Sequence, residues 1–203
     1  MNTAAFLAYC FIVTFTPGPT NIVILSTVQN HGPKKALEYA AGAALAFGLL
    51  LILSVTFNSV LFEALPKIKQ VMGGVGAGYM LYLAWKLSKM DVSAAETTTE
   101  TDQVGISFKE GFLMQFINPK VVLFVLTVIS NFIMPYYSSL FHRALFVIII
   151  TIIGLAAFVS WVIFGAILKY FLRTYQKTVN LVMALSLIYC AFMVSGLQEL
   201  LLR

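Results

Sequence analysis

Charge is scarce in this chain of 203 residues: Asp, Glu, Lys and Arg together make up 10%. A soluble domain carries about 25%. The eight acids are scarcer still where the chain is apolar. Four lie in one polar stretch, and Glu38, Glu63, Glu110 and Glu199 fall at the ends of apolar runs. No acidic proton relay and no counter-charge for a wholly cationic solute is therefore visible inside those runs. His31 and His142 also lie at run ends, far apart in sequence, which excludes the closely spaced ligand set of a metal centre. The two cysteines, Cys10 and Cys190, sit in apolar runs and read as small buried hydrophobes. The surplus of basic residues, net +5, is spread singly or in pairs at run ends. It forms no basic stripe interleaved with aromatics, so no nucleic-acid partner is expected.

What is present is bulk hydrophobicity: 60% apolar residues, 17 Phe, 9 Tyr and a mean hydropathy of +0.92. Six apolar runs occupy about residues 4–28, 36–61, 71–87, 111–133, 144–168 and 179–197. Each approaches the roughly 20 residues that cross a bilayer. The first follows Met1-Asn2-Thr3, with no basic residue before it, and reads as a retained helix and not as a signal peptide. The fold class is thus an all-α integral membrane protein. Residues 91–107 are polar and aperiodic and read as a flexible cytoplasmic loop. They separate a first three-helix half, 1–90, from a second, 108–203. With the N-terminus outside, eight loop Lys and Arg fall inside (Lys34, Lys35, Lys86, Lys89, Lys109, Lys169, Arg173, Lys177) and four outside (Lys67, Lys69, Arg143, Arg203). The positive-inside rule then places both termini in the periplasm.

The first and fourth runs are each broken by proline, at Phe15-Thr16-Pro17-Gly18-Pro19-Thr20-Asn21 and at Phe116-Ile117-Asn118-Pro119-Lys120. Proline lacks the amide donor and clashes with the preceding turn, so nearby backbone groups lose their helical partners. In hydrocarbon such groups must face protein or a wet cavity. Paired broken helices at corresponding positions of two halves point to the substrate site of a secondary transporter. Three helices per half put the halves in opposite topology, an inverted repeat. Short matches agree: 11–15 with 112–116, and 82–85 with 189–192.

Lys120 lies eleven residues past Lys109, hence about 16 Å deep at about 1.5 Å per residue. An ionisable side chain at mid-membrane marks a functional site by default. It suits a substrate carboxylate, together with the N-termini of the half-helices after the breaks. The bland alternative is a lysine satisfied by carbonyls freed at Pro119. Thr16, Thr20, Asn21, Gln115 and Asn118 either hold the rest of a zwitterionic solute or merely satisfy freed backbone. Gly42, Gly48, Gly73, Gly74, Gly76, Gly78 and Gly154 read as close-packing residues. Tyr79, Tyr82, Trp85, Trp161 and Tyr189 read as belt or packing aromatics. The expected binding set is Thr16, Pro17, Gly18, Pro19, Asn21, Gln115, Asn118, Pro119 and Lys120, with no catalytic or metal-ligating residue and no cofactor.

These motifs resemble the LysE/RhtB family of bacterial amino-acid exporters. The residues that carry the resemblance are Thr16-Pro17-Gly18-Pro19 with Asn21, His31-Gly32, Gly42 with Gly48, Gly76-Ala77-Gly78-Tyr79 with Tyr82 and Trp85, and the run 108–120. Gln115-Phe116 and Ser130-Asn131-Phe132-Ile133-Met134-Pro135 are most like its cysteine/O-acetylserine subgroup. The resemblance implies efflux of small neutral amino acids or derivatives (cysteine, O-acetylserine, threonine/homoserine or leucine type) across the inner membrane, driven by the proton motive force. The implied partners are the amino acid, protons and the bilayer, and a homodimer is compatible with so small a transporter. Two other classes compete. A membrane thiol-redox enzyme on a similar scaffold needs cysteines beside the breaks, and a metal-ion exporter needs intramembrane His or carboxylate ligands.

Overall fold

The computed structural model describes residues 1–89 and 107–195. The connecting segment before Ser107, the last residues of the sixth run, Glu199 and Arg203 lie outside the described residues. All regular structure among the described residues is helical.

The first run is two helices, α1 (Thr3–Phe15) and α2 (Pro19–His31), bent by 45°. The Asn2 side chain accepts from the Ala5 amide and caps α1. Gly32 is the only described residue with positive φ, 87°, a conformation that favours glycine. It turns the chain directly into α3 (Pro33–Thr56), whose first position is proline. The expected continuous run 36–61 is therefore corrected. Thr56, Phe57 and Asn58 are weak helix formers, and a separate six-residue helix, α4 (Asn58–Glu63), follows. The third run is α5 (Leu65–Ser88).

The second half repeats this order. A capping box of Ser107 and Glu110 starts α6 (Phe108–Ile117), and α7 (Pro119–Val128) follows at a 65° bend, ending in a π-helical turn, Ile129–Ile133. Then come the long α8 (Leu140–Ile167), the six-residue α9 (Lys169–Thr174) and α10 (Gln176–Ser195).

Among the described residues three helices are long and apolar enough to cross a membrane: α3, α8 and, over Gln176–Met193, α10; counting each bent pair as one span makes up to five. The third run, α5, has the length, 24 residues, but four glycines and three lysines leave it less apolar. Large apolar side chains such as Ile12, Ile52, Val75, Ile152 and Leu185 stand exposed on the outer faces. Lipid is a good solvent for them, so tight packing and polar contacts must hold the helices together.

The most extensive contacts join α5 to α10, α3 to α6 and α3 to α8. The α3–α6 approach needs glycine. A Cβ on Gly42 would land on the Phe108 carbonyl, and one on Gly111 on the Tyr39 carbonyl. By contrast Gly74 and Gly78 face open space, so the close-packing expectation for those two is corrected. Two apolar clusters form, one around Ile24, Tyr39, Met80 and Leu187, the other around Phe6, Leu51, Ile129 and Ile150. Phe158 of the first meets Phe47 of the second edge-on, 6.3 Å between centroids. The two broken helices approach each other at this junction.

Candidate functional site

In a continuous helix the amides of residues 18 and 19 would bond the carbonyls of Thr14 and Phe15. Here the chain is extended at Gly18, and Pro19 has no amide proton. The orphaned carbonyls find substitutes. Asn21 Nδ2 donates to Thr14 O at 3.3 Å and to Thr16 O at 3.0 Å. Trp161 Nε1 donates to Phe15 O at 3.3 Å, so this tryptophan closes the first break and is not a belt residue.

Lys120 supplies the remaining donor. Its Nζ lies 2.7 Å from Thr16 O and 3.4 Å from Pro17 O, reaching across 104 and 103 residues of sequence. The lysine is thus satisfied by carbonyls, but by those of the first break and not those freed at Pro119. Gly18 makes the approach sterically open. Its φ of −162° suits any residue, but a Cβ there would stand 2.9 Å from Lys120 Cδ and 3.1 Å from Nζ.

The second break is organised by Asn118. Its Oδ1 accepts from the Lys120 amide at 3.1 Å and caps α7, with Pro119 in the first helical position. Its Nδ2 donates to Thr20 Oγ1 at 2.8 Å, and Gln115 Nε2 donates to the same oxygen at 3.1 Å. Thr20, on α2, is therefore the polar hinge pin between the two breaks. Thr20, Asn21, Gln115 and Asn118 are all nearly inaccessible. Pro119 packs on α5 at Gly76, where a Cβ would stand 2.9 Å from the ring.

Beside Lys120 lies an open cavity of about 380 Å³ of empty space counted out to its mouth. Of the expected binding set, Gly18, Asn21, Asn118 and Lys120 line it. Thr16, Pro17, Pro19, Gln115 and Pro119 do not, and act behind the lining by shaping the backbone and holding its side chains. Thr14 and Thr20 complete the polar side. Val13, Phe47, Val121, Phe124, Gly154 and Phe158 form the apolar side, which sequence reasoning missed as site residues. Only Gly154 carried a signal, as a glycine in an apolar run. Asn21 lines the cavity, and its Oδ1 is buried with no hydrogen-bond partner, an acceptor without a donor. Such a group costs free energy unless a ligand or water supplies a proton.

The cysteines are apart: Cys10 is buried in one apolar cluster and Cys190 packs against the other. Cys190 lies within electrostatic range of Lys120 but outside the cavity lining. Tyr82, Trp85 and Tyr189 are exposed on the outer faces, as belt aromatics are. Among the described residues no three His, Cys, Asp or Glu side chains gather as a metal site would require.

The family model for LysE type translocators matches residues 11–196. A cysteine/O-acetylserine efflux protein of Escherichia coli O1:K1 / APEC is 31% identical over 188 residues, 93% of this chain and 94% of the relative. One from Salmonella choleraesuis (strain SC-B67) is 33% identical over 193 residues, 94% and 96% of the two chains. No solved structure matches. With proline-broken helices meeting at a lysine and a family match over nearly its whole length, this chain belongs to the LysE family of membrane translocators.

Proposed function

We propose that this protein is a secondary transporter exporting small neutral amino acids or their derivatives, of the cysteine and O-acetylserine type, across the bacterial inner membrane. The carrying observation is the Lys120 ammonium on the carbonyls of Thr16 and Pro17, beside a cavity lined also by Asn21, whose buried Oδ1 has no hydrogen-bond partner. A zwitterion complements both groups. Its carboxylate takes Lys120 from the backbone carbonyls, and its ammonium donates to Asn21 Oδ1. Exchanging a neutral acceptor for an ionised one adds the attraction of two full opposite charges to the lysine's bond. Substrate binding therefore releases the tie that Lys120 makes between the two breaks. The relatives named as cysteine/O-acetylserine efflux proteins support this substrate class and direction.

The transport cycle we infer is alternating access of two inverted three-helix repeats, with α5 as the third crossing and both termini periplasmic. Each half runs bent pair, long helix, six-residue helix, long helix. Polar ties between the halves support the same pairing. Asn30, eleven residues after Pro19, accepts from Gln176 Nε2 at 3.3 Å, and Ser130, eleven residues after Pro119, accepts from Asn58 Nδ2 at 2.9 Å. In an inverted repeat these ties lie at opposite ends of the transport path, where one must part for each face to open. Cysteine pairs replacing Asn30 and Gln176, or Asn58 and Ser130, are placed in a chain with Cys10 and Cys190 changed to Ala. Closing either pair with a short thiol cross-linker is expected to stop export, and reductant to restore it. Export that continues under full cross-linking refutes the gating scheme. The cysteine-free parent is expected to export normally, and loss of its activity would favour thiol chemistry.

The function itself is tested by release from overexpressing cells loaded with dipeptides of cysteine, threonine, homoserine, leucine and lysine, or with O-acetylserine. Uncoupler-sensitive release of a neutral amino acid is expected. Release insensitive to uncoupler removes proton coupling, and release of none removes the proposed substrate class.

A further inference from the structure

The cavity has two walls of opposite chemistry. Thr14, Gly18, Thr20, Asn21, Asn118 and Lys120 form one; Val13, Phe47, Val121, Phe124, Gly154 and Phe158 form the other. The apolar wall is centred on Phe47 of α3, which is 2% exposed. Its ring stacks on Phe124 at 5.9 Å and 19°, and meets Phe158 edge-on at 75°. How far that ring sinks back from the cavity is set by Gly154 of α8. A Cβ on Gly154 would stand 2.5 Å from Phe47 Cε1 and 2.7 Å from Cδ1. Any larger residue there pushes the ring away from α8, and the cavity is the space beside it.

We propose that Phe47 and Gly154 together set the size limit for the substrate's side chain. This rests on reading the cavity as the amino-acid site. With the carboxylate at Lys120 and the ammonium at Asn21, the remaining substituent points to the wall that carries no charged group. A charged side chain would lose its water there with nothing to replace it. A branched or aromatic side chain would meet the Phe47 ring, held by its neighbours and the α8 backbone. The limit is thus steric at Phe47 and adjustable through Gly154.

The test compares export of a small substrate, cysteine or O-acetylserine, with export of leucine and phenylalanine from cells loaded with each. Wild type, Phe47→Leu, Phe47→Ala and Gly154→Ala are assayed at measured membrane levels. Removing part or all of the ring is expected to raise leucine or phenylalanine export relative to the small substrate by about tenfold or more, the scale of discrimination by one or a few methylenes in an apolar pocket. A gain of this kind cannot arise from misfolding. Gly154→Ala is expected to act oppositely and to depress O-acetylserine, the bulkier substrate, more than cysteine. Unchanged substrate ratios in Phe47→Leu and Gly154→Ala, with the proteins in the membrane and wild type active on the small substrate, overturn the proposal. A wild type that exports none of these amino acids overturns the site reading beneath it.

Discussion

Lys120→Met should abolish export while leaving the chain in the membrane. A hydrogen bond to a charged group contributes about 1.5–3 kcal/mol, which at about 1.4 kcal/mol per tenfold is a loss of roughly tenfold to a hundredfold or more. The ammonium ties the Thr16 and Pro17 carbonyls to α7. It is also the one cation among the residues that line the cavity. Methionine keeps the length of the side chain and removes both interactions. Insertion should not suffer, because a lysine at the centre of a spanning helix costs about 2.5–3.5 kcal/mol on insertion scales and methionine does not. Lys120→Arg is not expected to rescue export. The guanidinium is broader than an ammonium, and the lysine stem already passes 2.9 Å from where a Gly18 Cβ would lie. Dipeptide-loaded export, normalised to membrane abundance, checks both variants. Export by Lys120→Met at wild-type rate would reduce Lys120 to a cap for broken backbone.

The largest effect on stability is expected at the α3–α6 contact. Gly42→Ala and Gly111→Ala each place a methyl group against backbone: 2.8 Å from the Phe108 carbonyl carbon in one case, 2.9 Å from that of Tyr39 in the other, closer still to the oxygens. Backbone cannot rotate away as a side chain can, so the helices must separate. Overpacking of a filled interior costs about 1–3 kcal/mol and sometimes more. Between membrane helices no hydrophobic term offsets it. Both variants should show a marked fall in membrane abundance and in thermal stability in detergent, and the pair together should not accumulate. Gly74→Ala and Gly78→Ala serve as controls. Both positions face open space, and alanine favours the helix by about 1 kcal/mol, so stability should hold or rise. Equal behaviour of the two sets would refute the packing account.

Much of the architecture was legible before any coordinates. Over the described residues the apolar runs are helical, and both breaks fall at the prolines, because the loss of a backbone donor is a local property. The corrections came where local chemistry is silent. Residues 56–58 interrupt the second run through three weak helix formers, with no proline to announce it. Gly111 looked like the start of a run, yet it is one of two glycines that let α3 and α6 touch. Gly74 and Gly78 read as packing residues alongside Gly42, yet a Cβ on either would touch nothing. Which face of a helix a glycine occupies matters only once a neighbour is chosen. Trp161 illustrates the same limit: its indole was read by composition, while its hydrogen bond to Phe15 depends on α8 crossing α1.

By itself the sequence determined that the chain lives in a membrane, that two of its helices are broken, and that a lone lysine stands at the second break. Apolar length, the missing amide proton of proline and the scarcity of acids decide those points, and each acts within a few residues. Only the tertiary structure decided what the lysine and the breaks do to one another. The carbonyls that hold Lys120, the threonine that receives both Gln115 and Asn118, and the Phe47 ring resting on Gly154 come from segments about a hundred residues apart. A hydrogen bond or a steric stop requires atoms within about 3–4 Å. Proximity on that scale follows from how closely α3 packs with α6 and α8, which no local pattern encodes.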